Sequence, residues 1–261
     1  MNNIKERILV ELEQAEKEYN VNILYACESG SRAWGFPSPD SDYDVRFIYA
    51  HPEDWYLSVF SKRDVIEKPI TDELDLGGWD IKKSLGLMAT SNAPLLEWLH
   101  SPIVYSKDEQ VLTPLRSLSE SCFRARHVCY HYYVMAEKLW KKVKGKKDIK
   151  LKTLFYVLRA LLCCEWIINE KSRPPVEMNK MLDRYYAGSD FIHAVTGLIE
   201  LKSGLNEMDL VRYDDYQKCF ITIEFRLNEL FAMMPEAFPE EKIIDNKSVI
   251  DDTLVRIIRS K

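Results

Sequence analysis

The stretch Gly30-Ser31-Arg32-Ala33-Trp34-Gly35, followed past a polar turn by Ser41-Asp42-Tyr43-Asp44-Val45-Arg46, decides how the rest of the chain is read. The apolar run Ile23 to Ala26 leads into it, so the segment reads as a strand, a glycine-serine turn and a second strand. Side chains alternate along a strand, which sends Asp42 and Asp44 to one face and Tyr43 and Val45 to the other. Two like charges that close raise each other's pKa, and a divalent cation between them is the usual remedy. Glycine lets the backbone approach an anion, and a serine hydroxyl with neighbouring N–H groups donates to phosphate oxygens. A phosphate cradle beside paired carboxylates is the arrangement expected for a metal-bound nucleoside triphosphate.

With Gly-Ser followed after a short turn by Asp-x-Asp, the segment resembles the nucleotidyltransferase superfamily of DNA polymerase β type. More narrowly, residues 30–46 are similar to the YcgL/RlaP-type group of predicted nucleotidyltransferases, some members of which accompany RNA repair gene sets. The likeness is specific at residues 28–46, good through about residue 105 and weaker beyond. It implies an α/β (α+β) nucleotidyltransferase domain with a small mixed sheet, followed by an all-α helical domain. Strand-like patterns give way to long helical ones near Tyr105 to Leu112, so the expected division is residues 1–108 and 109–261. The expected activity is transfer of a nucleoside monophosphate from ATP or another triphosphate to an acceptor, with Mg²⁺ or Mn²⁺ as cofactor. An RNA end, a protein hydroxyl and a small alcohol all remain open as acceptor.

The resemblance also implies a third carboxylate on a neighbouring strand. Leu74-Asp75-Leu76, an acid between apolar residues, has the required form, making Asp75 the first choice. Asp80, just before Ile81-Lys82-Lys83-Ser84-Leu85, reads instead as a helix N-cap. The two acids are an odd number of residues apart and face opposite sides of an unbroken strand. A bulge at Gly77-Gly78 would overturn that choice. The expected catalytic and metal-binding set is therefore Asp42, Asp44 and Asp75.

Candidate nucleotide contacts are Gly30, Ser31, Arg32, Lys83, Lys152 and Arg159. Glu28 flanks the motif, and Arg46 falls on the Asp44 face, where it pairs with the acids or reaches phosphate. Lys152, Tyr156 and Arg159 form a polar stripe on a helix otherwise apolar nearly all round. Cations on a buried helix want an anion, supplied either by a triphosphate or by an internal acid. Lys138 to Lys152 holds eight lysines against one acid, Asp148, a patch suited either to RNA or to plain solvation. His127 and His131 have zinc-compatible spacing without a third ligand in view, and Asn92 and Glu97 read as structural.

The remaining composition is that of an ordinary globular protein, and a net charge of −5 argues against a surface coated by nucleic acid. No apolar run is long enough to span a bilayer and the first residues lack an apolar signal core, so a cytoplasmic protein is expected. Cys27, Cys122, Cys129, Cys163, Cys164 and Cys219 show no C-x-x-C pairing and read as buried thiols. Two rival functions remain: a non-catalytic nucleotide-, RNA- or protein-binding module of the same fold, and an adenylyltransferase acting on a protein. Oligomeric state is not legible.

Overall fold

The computed structural model describes residues 2–71, 73–206, 209–238 and 245–260. In chain order the elements are α1 (Asn2–Tyr19), β1 (Asn22–Glu28), α2 (Gly30–Trp34), β2 (Tyr43–Ala50), α3 (Glu53–Tyr56), β3 (Val65–Glu67) and β4 (Leu74–Asp80). There follow α4 (Ile81–Ala89), α5 (Ala93–Leu99), β5 (Val104–Lys107), α6 (Glu109–Ser121), α7 (Ala125–Val143), β6 (Asp148–Lys150) and α8 (Leu151–Glu170). Last come α9 (Met178–Tyr186), α10 (Asp190–Ser203), β7 (Leu210–Arg212), α11 (Gln217–Ala237) and α12 (Lys247–Arg259). They form two compact units, one of Met1–Ala33, Asp42–Phe123 and Ile243–Lys261, the other of Trp34–Ser41 and Arg124–Lys242.

The first unit is built on a mixed five-stranded sheet in the order β3-β4-β2-β1-β5. Strand β2 is antiparallel to β1 and parallel to β4, and the β2–β4 ladder runs unbroken from Tyr43 opposite Leu74 to Tyr49 opposite Asp80. No bulge interrupts it at Gly77-Gly78, so alternation holds along β4 and Asp75 and Asp80 do point to opposite faces. On one face Val45, Phe47, Tyr49, Leu74 and Leu76 pack with Ile8 and Leu12 of the amphipathic α1. On the other, Ile48 and Ala50 join apolar residues of α4, α5, α6 and α12. Each face buries the stripe that its helices' 3.6-residue period presents, which is why a sheet this small is stable.

The second unit is mainly helical. Helix α8 is apolar on nearly every side and is correspondingly enclosed, with Leu154, Phe155, Val157, Leu158, Leu161 and Leu162 fully buried. Its buried Glu165 receives Arg226 Nε and the Tyr186 hydroxyl, each at 2.6 Å. The short strands β6 and β7 pair antiparallel, a two-stranded sheet inside a region that reads as helical throughout. The long helical pattern that begins near Leu112 is first divided between two helices, α6 and α7, interrupted after Ser121 and resumed at Ala125. All six cysteines are buried, and none is in a disulfide. Among the described residues no helix is long and apolar enough to cross a membrane.

Candidate active site

The ends of three adjacent strands converge on Asp44. Strand β1 finishes at Glu28, whose Oε1 accepts the backbone N–H of Asp44 at 2.8 Å, while Ser29 N–H donates to the Asp44 carbonyl at 2.8 Å. The chain then enters α2 through Gly30 at φ +63°, and a Cβ on Gly30 would lie 2.1 Å from Asp44 Oδ2. Glycine is required there twice over, by the left-handed backbone and by the carboxylate pressed against it. Gly30 and Ser31 are buried in a helical turn rather than displayed on an open loop.

Asp75 sits directly opposite Asp44 in the parallel ladder. Both are about two-thirds buried, with side-chain exposures of 30% for Asp44 and 27% for Asp75. Arg46 holds them together: its Nη2 is 3.1 Å from Asp44 Oδ1 and 2.7 Å from Asp75 Oδ2, and its Nη1 donates to the carbonyls of Val45 and Asp75. Gly77 is the ladder partner of Arg46, and the arginine folds back to Asp75 across it. Asp42 stands just before β2 and is exposed. It takes no part in the Arg46 bridge, although its carbonyl accepts Arg32 Nε at 3.2 Å. The Arg32 guanidinium also covers the Tyr43 ring, 3.7 Å from its centroid.

Glu28 was legible as a neighbour of the motif but not in its role. It is wholly buried, and its second oxygen accepts the Tyr105 hydroxyl. Burial pushes its carboxyl up to about 7; the Tyr105 hydroxyl and the Asp44 N–H oppose that rise, and the Asp44 charge adds to it. The only sequence signal was an acid closing an apolar central strand.

The other sequence candidates lie elsewhere. Asp80 ends β4 about 17 Å along the strand from Asp75, at about 3.4 Å per residue. It is fully buried, caps α4 by accepting Lys82 N–H at 2.7 Å, and receives the Tyr56 hydroxyl at 2.8 Å. Lys83, one turn into α4, pairs with Asp64 at 3.1 Å beside a cleft of about 490 Å³ lined by Trp55 and Phe60. The structure thus does not bring Lys83 to the acid pair. Lys152 and Arg159 belong to the second unit, as does Trp34 of the motif. Lys152 is exposed on the first turn of α8, whereas Arg159 is buried with its guanidinium 4.3 Å from the Trp34 ring. Tyr156 meets the same ring edge-on at 5.1 Å. In the lysine-rich run, Lys141 pairs with Glu137 and Lys144 with Glu224. His127 and His131 are exposed on α7.

Two aspartates already sharing one cation form a donor set of the kind that suits a hard divalent ion, which takes oxygen ligands. Among the described residues no group of three or more His, Cys, Asp or Glu is close enough to hold a metal ion. The protein therefore presents two of the three expected carboxylates together, and a bound ion would need further oxygen ligands from substrate, water or a reoriented Asp42.

The chain is 43% identical over 221 residues to the uncharacterized protein YcgL of Bacillus subtilis (strain 168), covering 85% of each. Among solved structures it matches a nucleotidyltransferase-like protein from Exiguobacterium sibiricum 255-15 at 12% identity and a TM-score of 0.36, over 86% of this chain and 76% of that one. That structural likeness is slight. The model of RlaP, the RNA repair pathway DNA polymerase beta family, matches residues 4–251, and the chain belongs to that family.

Proposed function

We propose that this protein is a metal-dependent nucleotidyltransferase that moves a nucleoside monophosphate from a triphosphate to an RNA end and releases pyrophosphate. The observation that carries this reading is the in-register pair Asp44 and Asp75 on parallel strands, with the Gly30 backbone packed against Asp44. In this reading Asp44 and Asp75, completed by Asp42, hold Mg²⁺ or Mn²⁺. When bound, such ions neutralise the developing phosphate charge and ease loss of the acceptor proton during an in-line displacement at the α-phosphorus.

The chain's own residues do the rest. Gly30 and Ser31 bring backbone close to the β- and γ-phosphates, and Arg32, held by the Asp42 carbonyl, meets the same oxygens with its guanidinium charge. Glu28 fixes the Asp44 backbone from behind, so the carboxylate is set by the sheet rather than by the ligand. An RNA acceptor is favoured by membership of an RNA repair pathway family. Lys83, at the far end of β4, has no part in the reaction.

The test is calorimetric titration of each nucleoside triphosphate with Mg²⁺ into the protein and into Asp44→Asn and Asp75→Asn. Binding that requires Mg²⁺ and is lost in both variants is expected. A folded protein that binds no triphosphate would replace this reading with a non-catalytic module of the same fold.

A further inference from the structure

The cation between Asp44 and Asp75 is part of the chain itself. A single guanidinium nitrogen, Nη2 of Arg46, lies within 3.1 Å of one carboxylate and 2.7 Å of the other. A divalent ion bridging the same two acids at about 2.0–2.6 Å from their oxygens would occupy the space that Nη2 holds. Two positive charges at that separation repel strongly in a site this enclosed. The guanidinium and the metal are therefore alternatives for the inner side of the pair.

The anchoring of Arg46 fits such an exchange. Its Nη1 bonds, to the carbonyls of Val45 and Asp75, are to neutral groups at 3.1 and 3.0 Å, and its side chain is 21% exposed. The side chain crosses Gly77. A guanidinium also carries a planar fork of donors matched to phosphate oxygens, so release from the acids leaves it suited to the ligand that brings the metal.

We propose that Arg46 is the resident counter-ion of the site: it holds Asp44 and Asp75 together while no metal is bound and must yield to a divalent cation. This rests on the proposed metal role of the two aspartates. It makes Arg46 a positioning residue with a regulatory consequence. Metal alone competes poorly for the acids, whereas metal carried on a triphosphate offers Arg46 a replacement anion, so ion and nucleotide enter together.

The test is Mn²⁺ binding in the absence of nucleotide, read from the free-ion electron paramagnetic resonance signal, for the unchanged protein, Arg46→Met and Arg46→Lys. Thermal unfolding is measured with and without Mn²⁺. Arg46→Met is expected to bind Mn²⁺ about tenfold or more tightly than the unchanged protein, because a full charge has left the site. Arg46→Lys, which keeps the charge but loses the fork, is expected to fall between them. The Met variant should melt lower without metal and recover with Mn²⁺. Equal or weaker Mn²⁺ binding by a folded Arg46→Met, or in that folded variant a loss of stability that Mn²⁺ leaves untouched, would overturn the proposal. If Arg46→Met folds only with Mn²⁺ present, the proposal is supported. If it folds under neither condition, the Lys variant decides, and Mn²⁺ affinity no higher than the unchanged protein's overturns it. If none of the three proteins binds the Mn²⁺–ATP complex in calorimetric titration, the metal reading of the site itself fails. If the unchanged protein binds that complex and Arg46→Met gains no Mn²⁺ affinity without ATP, only the role of Arg46 fails.

Discussion

The two ends of the β2–β4 ladder treat their acids in opposite ways. At the start, Asp44 and Asp75 keep about a third of their side-chain surface and share one arginine. At the finish, Asp80 is wholly buried and is satisfied by a backbone N–H and a tyrosine hydroxyl. A cation paired to a carboxylate can be exchanged for another cation without altering the backbone. A cap bond cannot, because its donor is the first turn of a helix. Acids of one residue type on one two-stranded ladder thus divide into a pair able to change partners and a single acid locked into the architecture.

The sharpest way to break this contrast is to neutralise each acid in turn. Asp44→Asn and Asp75→Asn are expected to lower pyrophosphate release on RNA-end acceptors by at least about 100-fold, the scale of losing one transition-state contact. Asp80→Asn should stay within about threefold of the unchanged protein, since asparagine also accepts a cap bond. Equal losses at both ends would erase the distinction.

A smaller effect probes how tightly the active end is set. Gly30→Ala forces a Cβ into Asp44 Oδ2 on a backbone that alanine disfavours, and a cost of about 1–3 kcal/mol in urea unfolding is expected. Transfer should fall further than stability alone explains, because the relief available is displacement of Asp44. An alanine variant of unchanged stability and rate would show that the contact is not held in solution.

The smallest effect concerns the structural end. Asp80→Ala is expected to cost about 1–2 kcal/mol through the lost cap, and Asp80→Asn less. Burial holds the Asp80 carboxyl above its ordinary value against the opposing pull of the Tyr56 hydroxyl and the Lys82 N–H. Below the ordinary value both folded and unfolded chains are protonated, so this group's contribution is constant there. As pH rises from that value through the raised one, the folded state retains its proton while the unfolded state releases it, and stability falls. Asp80→Asn lacks that fall, so its deficit relative to the unchanged protein should shrink between pH 4 and pH 7 in denaturant midpoints. A deficit that instead grows with pH would mean that the buried carboxylate is stabilised as an anion.

Much of the architecture was legible because it obeys simple periods. The stripe Ile4, Ile8, Leu9 and Leu12 announces α1, and the assignment of Asp75 and Asp80 to opposite faces follows from strand alternation alone. The strands β5, β6 and β7 escaped notice because three or four residues are too short to show a period, and pairing with a distant strand is what makes them strands. The interruption between Ser121 and Ala125 likewise carries neither glycine nor proline.

The sequence by itself determined the candidate acids: Asp-x-Asp after Gly-Ser, and an isolated acid on a later apolar strand, are patterns of residue type and spacing. Only the tertiary structure decided which of them meet. Register across β2 and β4 sets Asp44 against Asp75, Gly30 closes on Asp44 from β1, and Arg46 spans the pair over Gly77. Spacing along a chain fixes the face on which a side chain stands, whereas its charge partner is chosen by strands that approach from elsewhere in the sequence.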